Sequence, residues 1–244
     1  MNIVVNPGKM IDFHSHILPG IDDGSKNIEE SLAMLEMSAN QGITGIALTP
    51  HFYADKDTPE QFLKRRNAAM EQLLAVRQPH YPKMFAGAEV RYFPGMQRTE
   101  EILQLRLEET PYLLVEMPFT LWTSRMADEI LELNQKKDIQ VVLAHIDRYL
   151  SMQKPKTIEM IWKCGVLLQA NADSFLTWRE CWRMLRLMKQ GRISFLGSDC
   201  HNLTTRPPCL AQALEVIVKR LGPQVIETMK TENEQVLWGG ELIR

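Results

Sequence analysis

The sequence predicts an α/β fold, a barrel of seven parallel strands that alternate with helices. Short apolar runs rich in β-branched residues alternate with longer segments of helical apolar spacing, and this order produces a parallel sheet covered by helices. The pattern fills the 244-residue chain without an internal repeat or a low-complexity linker. With 45% hydrophobic and 24% charged residues, the composition is that of a globular domain with a sizeable core.

Seven strands are predicted, one fewer than in the eightfold (β/α) barrel. They cover residues 10–14, 43–49, 84–89, 112–117, 139–145, 165–171 and 192–198. Because the first strand begins near Met10, residues 1–9 are predicted to be a short N-terminal extension. Residues 10–244 are predicted to form a single domain.

Helices are predicted between the strands. Asn27 can cap one helix, and Thr58 followed by Pro59 marks the start of another. Helical spacing of apolar residues covers 122–136, 174–189, 209–221 and 224–238. Within the second of these segments, Trp178 and Trp182 lie one turn apart, a spacing that could form part of an exposed apolar stripe.

The composition argues against several classes of function. The net charge is −2 and no basic patch typical of nucleic-acid-binding proteins is evident, so no nucleic-acid partner is expected. No apolar run approaches the roughly 20 residues that a membrane span needs, and the N-terminus lacks a secretory signal. The four cysteines form no CxxC pair, so they are interpreted as reduced thiols of a cytoplasmic protein.

Five of the six histidines lie at the end of a predicted strand or just after one, and three carboxylates end strands or follow them. These residues are His14, His16, His51, His145, His201, Glu89, Glu116 and Asp199. In barrels of this kind the carboxyl ends of the strands form the active-site face, so the eight side chains are expected to converge. Two-residue spacing, as in His14 and His16, directs both side chains to one side of a strand. Mixed histidine and carboxylate ligands suit manganese, iron or zinc.

Each of these residues also has a structural interpretation. A single histidine at a strand end is more often a packing or surface residue than a ligand, and His80, in a predicted loop, is interpreted as solvated. The eight residues together are harder to explain by packing, because buried carboxylates are costly unless they are paired or bind metal. A metal site is therefore the favoured interpretation.

Most of the proposed site residues lie in six segments of distinctive sequence. They are IDFHSHILPGIDDGS, ALTPH, GAEVRYFP, LLVEMPF, VLAHIDRY and LGSDCHN followed by RPP. These segments resemble the polymerase and histidinol phosphatase (PHP) superfamily, and within it they are most similar to the manganese-dependent bacterial protein-tyrosine phosphatases of capsule and exopolysaccharide operons. The resemblance covers nearly all of residues 10–244. It implies a distorted (β/α)7 barrel of the PHP fold, similar to a TIM barrel, with three manganese ions, for which iron or zinc are alternatives.

The resemblance also implies a role for individual residues. His14, His16, Glu89 and Asp199 would hold one metal, Glu89, Glu116 and His145 a second, and Asp23, His51 and His201 the third. Arg148 and Arg206 would bind the phosphate and act in catalysis. Asp147 stands where the family usually has glutamate; since it is not an implied ligand, this departure concerns local packing.

The implied reaction is hydrolysis of protein phosphotyrosine by a hydroxide that bridges the metals. The implied partner is the phosphotyrosine-bearing tail of a membrane-associated bacterial tyrosine kinase of capsular or exopolysaccharide biosynthesis. One alternative keeps the metal site but changes the substrate to histidinol phosphate, a sugar phosphate or a nucleotide. A metal-binding protein without catalysis is disfavoured, because every implied ligand position is filled.

A second alternative is a cysteine-dependent phosphatase. The segment from Cys200 to Arg206 fits the C-x5-R pattern, in which the thiolate is the nucleophile and the arginine binds phosphate. However, Asp199 rather than histidine precedes the cysteine, and Pro207 replaces the usual serine or threonine. A neighbouring carboxylate also raises the pKa of a thiol, which is unfavourable for a nucleophile. This alternative is therefore the weaker one.

Overall fold

The computed structural model describes residues 10–108 and 110–229. The strands are β1 (Met10–Ser15), β2 (Ile43–Leu48), β3 (His51–Phe52), β4 (Lys83–Ala86), β5 (Glu89–Arg91), β6 (Tyr112–Glu116), β7 (Gln140–Leu143), β8 (Leu167–Asn171) and β9 (Phe195–Gly197). The helices are α1 (Ile28–Asn40), α2 (Pro59–Val76), α3 (Ser124–Asn134), α4 (Ile146–Tyr149), α5 (Pro155–Lys163), α6 (Trp178–Lys189) and α7 (Leu210–Leu221). The predicted alternation of strands and helices is confirmed.

The strands pair in parallel in two sheets, in the orders β1-β2-β4 and β3-β5-β6-β7-β8-β9. The two sheets meet where β2 leads into β3 and β4 into β5. Backbone hydrogen bonds bridge these breaks, since the Gly87 amide donates to the Leu48 carbonyl at 2.9 Å and the Glu89 amide to the Pro50 carbonyl at 3.0 Å. The described strands therefore form one curled arrangement of parallel strands.

The two outermost strands also approach each other. The Asp199 amide donates to the His14 carbonyl at 2.8 Å, and the His16 amide donates to the Cys200 carbonyl at 2.9 Å. These bonds join the chain that follows β9 to β1, the first strand of the other sheet. Residues from the two ends of the sequence are thereby held side by side.

The predicted number of strands differs from the observed one. The segment predicted as a single strand, 84–89, is divided into β4 and β5, and the two-residue strand β3 was not predicted. Proline has no N–H group to donate to a ladder, so Pro50 separates β2 from β3. The predicted strand 84–89 is interrupted separately, at residues 87–88, so Glu89 begins β5 instead of ending that strand.

The helix ends follow the predicted caps. The Asn27 side chain accepts a hydrogen bond from the Glu30 amide at 2.9 Å, and Thr58 forms a capping box with Gln61 at the start of α2. The predicted helix 174–189 starts only at Trp178, because a 3-10 turn precedes it.

Two further predictions fall wholly or partly outside the described residues. Residues 224–229 are helical, whereas the rest of the predicted helix 224–238 and the predicted extension 1–9 lie outside the described residues. In the part of the chain that is described, no helix is both long and apolar enough to cross a membrane.

A buried apolar cluster is built from strands of both sheets. It contains Ile11, Phe13, Ala47, Phe85, Tyr112, Leu114, Val142 and Phe195. The rings of Phe13 and Phe195 lie 4.2 Å apart between centroids, and that of Tyr112 contacts Phe195 edge-on at 5.2 Å. Because strands distant in sequence share this cluster, its burial favours the curled form of the sheet and fixes where the strand ends lie.

Candidate metal centre

The structure brings all nine predicted metal ligands to the edge where the strands end or are interrupted. They lie on β1 or after it (His14, His16, Asp23), at the starts of β3 and β5 (His51, Glu89), at the end of β6 (Glu116), and shortly after β7 and β9 (His145, Asp199, His201). Most of these side chains are buried or nearly so, whereas that of Asp23 is 67% exposed. The cluster is therefore open to solvent on the Asp23 side.

The first group surrounds the Nε2 atoms of His14 and His16, which lie 3.1 Å apart. Glu89 Oε2 is 3.2 Å from His14 Nε2 and 3.3 Å from His16 Nε2. Asp199 Oδ1 is 3.6 Å and 3.5 Å from the same two nitrogens. Two imidazole nitrogens and two carboxylate oxygens thus face a common point, which is the arrangement expected for the first metal.

The second group uses the other oxygen of Glu89. His145 Nε2 lies 2.9 Å from Glu89 Oε1 and 3.7 Å from Glu116 Oε1. His51 Nδ1, in contrast, lies 3.0 Å from Glu89 Oε2, the oxygen that the first group uses. Glu89 consequently stands between two groups of ligands, the position that a bridging carboxylate would occupy.

The third group contains Asp23, whose Oδ1 atom is 3.5 Å from the Nε2 atoms of both His51 and His201. His16 lies close enough to join this group, and His51 also groups with the two glutamates. In the structure, His16 and His51 each belong to two neighbouring groups, whereas the implied ligand sets assign each of them to a single metal.

Several buried atoms in this cluster are unsatisfied in a way that a cation would remedy. His51 Nδ1, Glu89 Oε2 and His201 Nε2 are buried, and none makes a hydrogen bond within the described residues, although His51 Nδ1 and Glu89 Oε2 lie only 3.0 Å apart. Buried polar atoms nearly always have a hydrogen-bond partner, so each exception needs a physical explanation. Desolvated lone pairs that converge from nitrogen and oxygen atoms are a suitable donor set for divalent metals.

The protonation of the cluster is consistent with cation binding. Burial lowers the pKa of His145, and it lowers that of His201 to about 4, so both imidazoles are neutral near pH 7 and keep a lone pair for a cation. Burial would also lower the pKa of His14, but the charge of Glu89 raises it above its usual value. In the absence of metal, protons balance part of the carboxylate charge, so metal binding is expected to release protons.

Glycines allow the backbone to pass close to the ligands. A Cβ atom at Gly197 would lie 2.5 Å from His14 Cβ, and one at Gly24 would lie 2.1 Å from the His16 carbonyl oxygen.

His145 and Asp199 adopt left-handed backbone angles, with φ of 32° and 52°. Such conformations in residues other than glycine are strained by about 1–3 kcal/mol each and are concentrated at functional sites.

Asp22 supports the cluster and was not predicted. Its Oδ2 atom lies 2.7 Å from His16 Nδ1 and accepts a hydrogen bond from the His51 amide at 3.0 Å. Burial would raise the pKa of Asp22, but the neighbouring His16 holds it well below its usual range. A charged carboxylate at Nδ1 orients the imidazole and leaves Nε2 free for a metal. In the sequence, Asp22 directly precedes Asp23, and this pair of adjacent carboxylates is the signal that could have identified it.

Gln169 and Asn171, both on β8, were also missed. Gln169 Oε1 accepts from the His145 amide at 2.7 Å and lies 3.2 Å from His14 Nδ1. Asn171 Nδ2 donates to Asp199 Oδ2 at 2.8 Å. Polar residues two apart at the end of an otherwise apolar strand are the signal that could have identified them.

The two predicted phosphate-binding arginines lie at the border of the cluster. The Nη2 atoms of Arg148 and Arg206 are each 2.6 Å from Asp199 Oδ2. About a third of each arginine side chain is exposed to solvent. Both guanidinium groups can therefore reach a ligand that approaches the metal side of Asp199.

Cys200 is in an unsuitable environment for a nucleophile. Its side chain is fully buried among apolar residues that include Leu18 and Ile46. Burial raises the pKa of the thiol well above its usual value, and the charge of Asp12 adds to this effect. The four cysteines carry free thiols, as predicted, and His80 is exposed and lies 2.7 Å from Glu36.

Comparison with known proteins agrees with this geometry. A family profile for capsular polysaccharide synthesis proteins, CpsB/CapC, matches residues 10–238. The chain is 30% identical over 240 residues to tyrosine-protein phosphatase CpsB of Streptococcus agalactiae serotype III, covering 93% of this chain and 97% of that protein. It is 29% identical over 239 residues to tyrosine-protein phosphatase YwqE of Bacillus subtilis, covering 96% of this chain and 93% of that protein.

The fold is also similar to that of a solved structure. That structure belongs to a set of crystal structures of two metal-dependent tyrosine phosphatases, YwqE of Bacillus subtilis and CpsB of Streptococcus pneumoniae. The TM-score is 0.82 at 25% sequence identity, and the similarity covers 96% of both chains. The chain therefore belongs to the CpsB/CapC family of capsular polysaccharide synthesis proteins.

Proposed function

We propose that this chain is a metal-dependent protein-tyrosine phosphatase. The observation that carries the proposal is the cluster of five histidines and four carboxylates, in which buried lone pairs converge without hydrogen-bond partners. Two partly exposed arginines at its border supply the positive charge that a phosphate dianion needs. The tyrosine phosphatase activity of the relatives CpsB and YwqE supports the same assignment.

Three divalent ions are proposed to occupy the cluster, with manganese preferred and iron or zinc as alternatives. The first would be held by His14, His16, Glu89 and Asp199, the second by Glu89, Glu116 and His145, and the third by Asp23, His51 and His201. When bound, such ions lower the pKa of water so that a hydroxide nucleophile is available near neutral pH. The residues of the chain would hold these ions through imidazole nitrogens and carboxylate oxygens.

Arg148 and Arg206 are proposed to bind the phosphate oxygens during the reaction. Their planar guanidinium groups present paired N–H donors that match two oxygens of a phosphate. Asp199 positions both groups, since its Oδ2 atom accepts a hydrogen bond from Arg148 and forms an ion pair with Arg206. Charge that develops on the equatorial oxygens would thus meet donors that are already oriented.

Phe119 offers a surface for the aromatic ring of phosphotyrosine. This residue is 49% exposed, and its ring lies nearly parallel to that of His145, with 5.8 Å between centroids and 19° between planes. A substrate whose phosphate enters the cluster would carry its ring past this side chain. Phenol is also a better leaving group than an alkyl alcohol, because its pKa is only about 10.

The fold is proposed to be a distorted (β/α)7 barrel of the PHP type within a single domain, residues 10–244. If β2 with β3 and β4 with β5 each count as one interrupted strand, the described strands make seven units. The backbone bonds between β1 and the segment after β9 support closure of this ring.

The substrate is proposed to be the tyrosine-phosphorylated tail of a membrane-associated kinase of capsule or exopolysaccharide synthesis. The family of this chain and the open, Asp23 side of the cluster support a flexible peptide substrate. Four free thiols support a cytoplasmic enzyme, since reducing compartments preserve them.

A panel assay tests this proposal directly. The metal-loaded protein should hydrolyse phosphotyrosine peptides faster than phosphoserine peptides, histidinol phosphate, sugar phosphates or nucleotides. Equal rates on phosphotyrosine and phosphoserine would indicate a general phosphoesterase. A preference for one of the small phosphates would reassign the substrate while leaving the metal cluster in place.

A further inference from the structure

The outer face of α6 carries two tryptophans that the fold leaves in solvent. Trp178 is 80% exposed and Trp182 is 60% exposed. They lie one helical turn apart, so their rings cover adjacent areas of one side of the helix. Burial of indole rings is a large source of stabilisation, and two neighbouring exposed rings are therefore typical of an interaction surface.

Basic side chains accompany these rings. Arg179, Arg183, Arg186 and Lys189 are all exposed, whereas α6 contains a single acidic residue, Glu180. Glu180 accepts a hydrogen bond from Thr177 at 2.9 Å. Across residues 10–108 and 110–229, no ion pair involves any of the four basic groups. The exposed side of α6 therefore carries a local excess of positive charge, although the net charge of the whole chain is −2.

The two kinds of side chain form one surface, which we call the α6 surface. It consists of Trp178, Arg179, Trp182, Arg183, Arg186 and Lys189. The opposite side of the helix, with Met184, Leu185 and Met188, is buried against the core. Arg220 of α7 adds a further positive charge, because its guanidinium carbon lies 5.4 Å from the centroid of the Trp182 ring.

We propose that the α6 surface docks on a bilayer that contains anionic phospholipids. Tryptophan rings settle at the headgroup level of membranes, where one side of the ring is apolar and the other is hydrated. Arginine and lysine around them attract lipid phosphates, and several basic groups together are needed for stable peripheral binding. The surface is a convex helix face, which a fluid bilayer can contact without a preformed groove.

The charges argue against a second copy of the chain as the occupant. In a two-fold symmetric dimer through this face, the basic groups of one copy would face the same basic groups of the other. Like charges in such a contact oppose association. An anionic partner is required, and the indole rings favour a lipid surface over a nucleic-acid backbone.

The α6 surface lies on a helix that follows the sheet edge of the candidate metal cluster. α6 begins after the turn Ala172–Phe175, which directly follows β8. The last residue of β8, Asn171, donates to Asp199 of the metal cluster. Docking through α6 would therefore hold the edge of the sheet that carries the cluster near a membrane. The inference does not depend on the proposed phosphatase activity.

Vesicle sedimentation tests the proposal with the full-length, metal-loaded protein. The protein should sediment with phosphatidylcholine vesicles that contain phosphatidylglycerol, and not with vesicles of phosphatidylcholine alone. Tryptophan fluorescence should shift to shorter wavelength on binding, because Trp178 and Trp182 leave water. High salt should release the protein, since exposed charges are screened.

Two variants locate the contact. Arg179→Ala with Arg183→Ala should weaken partition on the order of 25-fold, since each basic group near an anionic surface contributes about fivefold. Trp178→Ser with Trp182→Ser should abolish the fluorescence shift. A matched control, Lys64→Ala with Lys137→Ala, removes two exposed charges from other elements and should bind like the wild type. Unchanged circular dichroism and metal content show that the variants fold.

Four outcomes would overturn the proposal. They are no binding to anionic vesicles, equal binding to neutral vesicles, undiminished binding of the arginine variant, and a wild-type protein that is a stable oligomer while the tryptophan variant is a monomer. In addition, DNA or RNA that binds the protein more tightly than anionic vesicles do, and displaces them, would assign the surface to nucleic acid instead. Each of these measurements is independent of catalytic activity.

Discussion

Asp199 is the residue at which the proposed metal ligands and the proposed phosphate-binding groups meet. Its Oδ1 atom faces the imidazoles of His14 and His16, and its Oδ2 atom accepts a hydrogen bond from Arg148 and forms an ion pair with Arg206. The carboxylate is charged, because the imidazoles and arginines around it outweigh burial and hold its pKa well below the usual range. One side chain would therefore position both a bound metal and the two arginines.

Replacement of either arginine should separate phosphate binding from metal binding. Arg148→Ala and Arg206→Ala should retain metal, because neither side chain is a ligand, but lose about 10²-fold in kcat/KM on phosphotyrosine peptides. Metal analysis and steady-state kinetics measure both properties. Arg77→Ala, at an exposed arginine that follows α2, is the control. Full activity in an arginine variant would show that the residue does not bind phosphate.

Phe119 should influence which phosphate ester is hydrolysed. Phe119→Ala should lower kcat/KM on phosphotyrosine peptides about fivefold, the size of one aromatic contact, and leave phosphoserine hydrolysis nearly unchanged. Phe119→Tyr should restore the aryl preference, and Met160→Ala at a distant exposed apolar residue should have no effect. An equal loss on both esters would mean that Phe119 serves stability and not substrate preference.

At the scale of elements, the interruptions of two strands build the centre of the site. β3 and β5 pair so that His51 lies opposite Glu89. Both residues follow breaks in strands that would otherwise continue from β2 and β4. The breaks allow the ligands to start new strands beside one another instead of projecting from the end of a longer sheet.

The connection from β7 to β8 contains a buried carboxyl with an unusual pKa. Asp147 Oδ1 accepts a hydrogen bond from the Asn171 amide at 2.8 Å. Burial raises the pKa of Asp147 to about 7. From about pH 4 to pH 7 the folded carboxyl retains a proton that the unfolded chain has lost, so this group makes the folded state less stable as pH rises.

Asp147→Asn should remove this pH dependence while keeping the acceptor oxygen. In urea unfolding of the metal-free protein, the variant should gain stability relative to the wild type as pH rises from about 4 to 7. The gain is at most about 4 kcal/mol, from a shift of about three pKa units. A difference between the two proteins that stays constant over this range would contradict the assignment.

The sequence predicted the elements better than their connections. Alternating apolar patterns located β1, β2, β6, β7 and β8 within a few residues, because these strands are continuous and buried. The patterns missed β3 and merged β4 with β5, since a break depends on Pro50 and on bonds between distant segments. The convergence of the nine proposed ligands could be predicted, in most cases from their place at or after strand ends. For Asp22, Gln169 and Asn171 the sequence holds only a weak signal, because their roles depend on which neighbour each side chain contacts.

On the scale of the whole molecule, residues from both ends of the described chain complete one site. β1 supplies His14 and His16, and the segment after β9 supplies Asp199 and His201. The apolar cluster shared by the two sheets holds these segments together. The candidate metal cluster is thus a product of the whole described fold, and no single described element contains a full set of the proposed ligands.

The central claim is that metal, held through Glu89, is essential for phosphotyrosine hydrolysis and that Cys200 is not. The most direct test measures bound metal and phosphotyrosine-peptide hydrolysis together in the wild type, Glu89→Ala and Cys200→Ser. We expect the wild type to lose activity on chelation and regain it with manganese. Glu89→Ala should lose both metal and activity, and Cys200→Ser should keep most of both. A fully active, fully metal-loaded Glu89→Ala protein, or a chelator-resistant wild type with an inactive, metal-loaded Cys200→Ser variant, would contradict the claim.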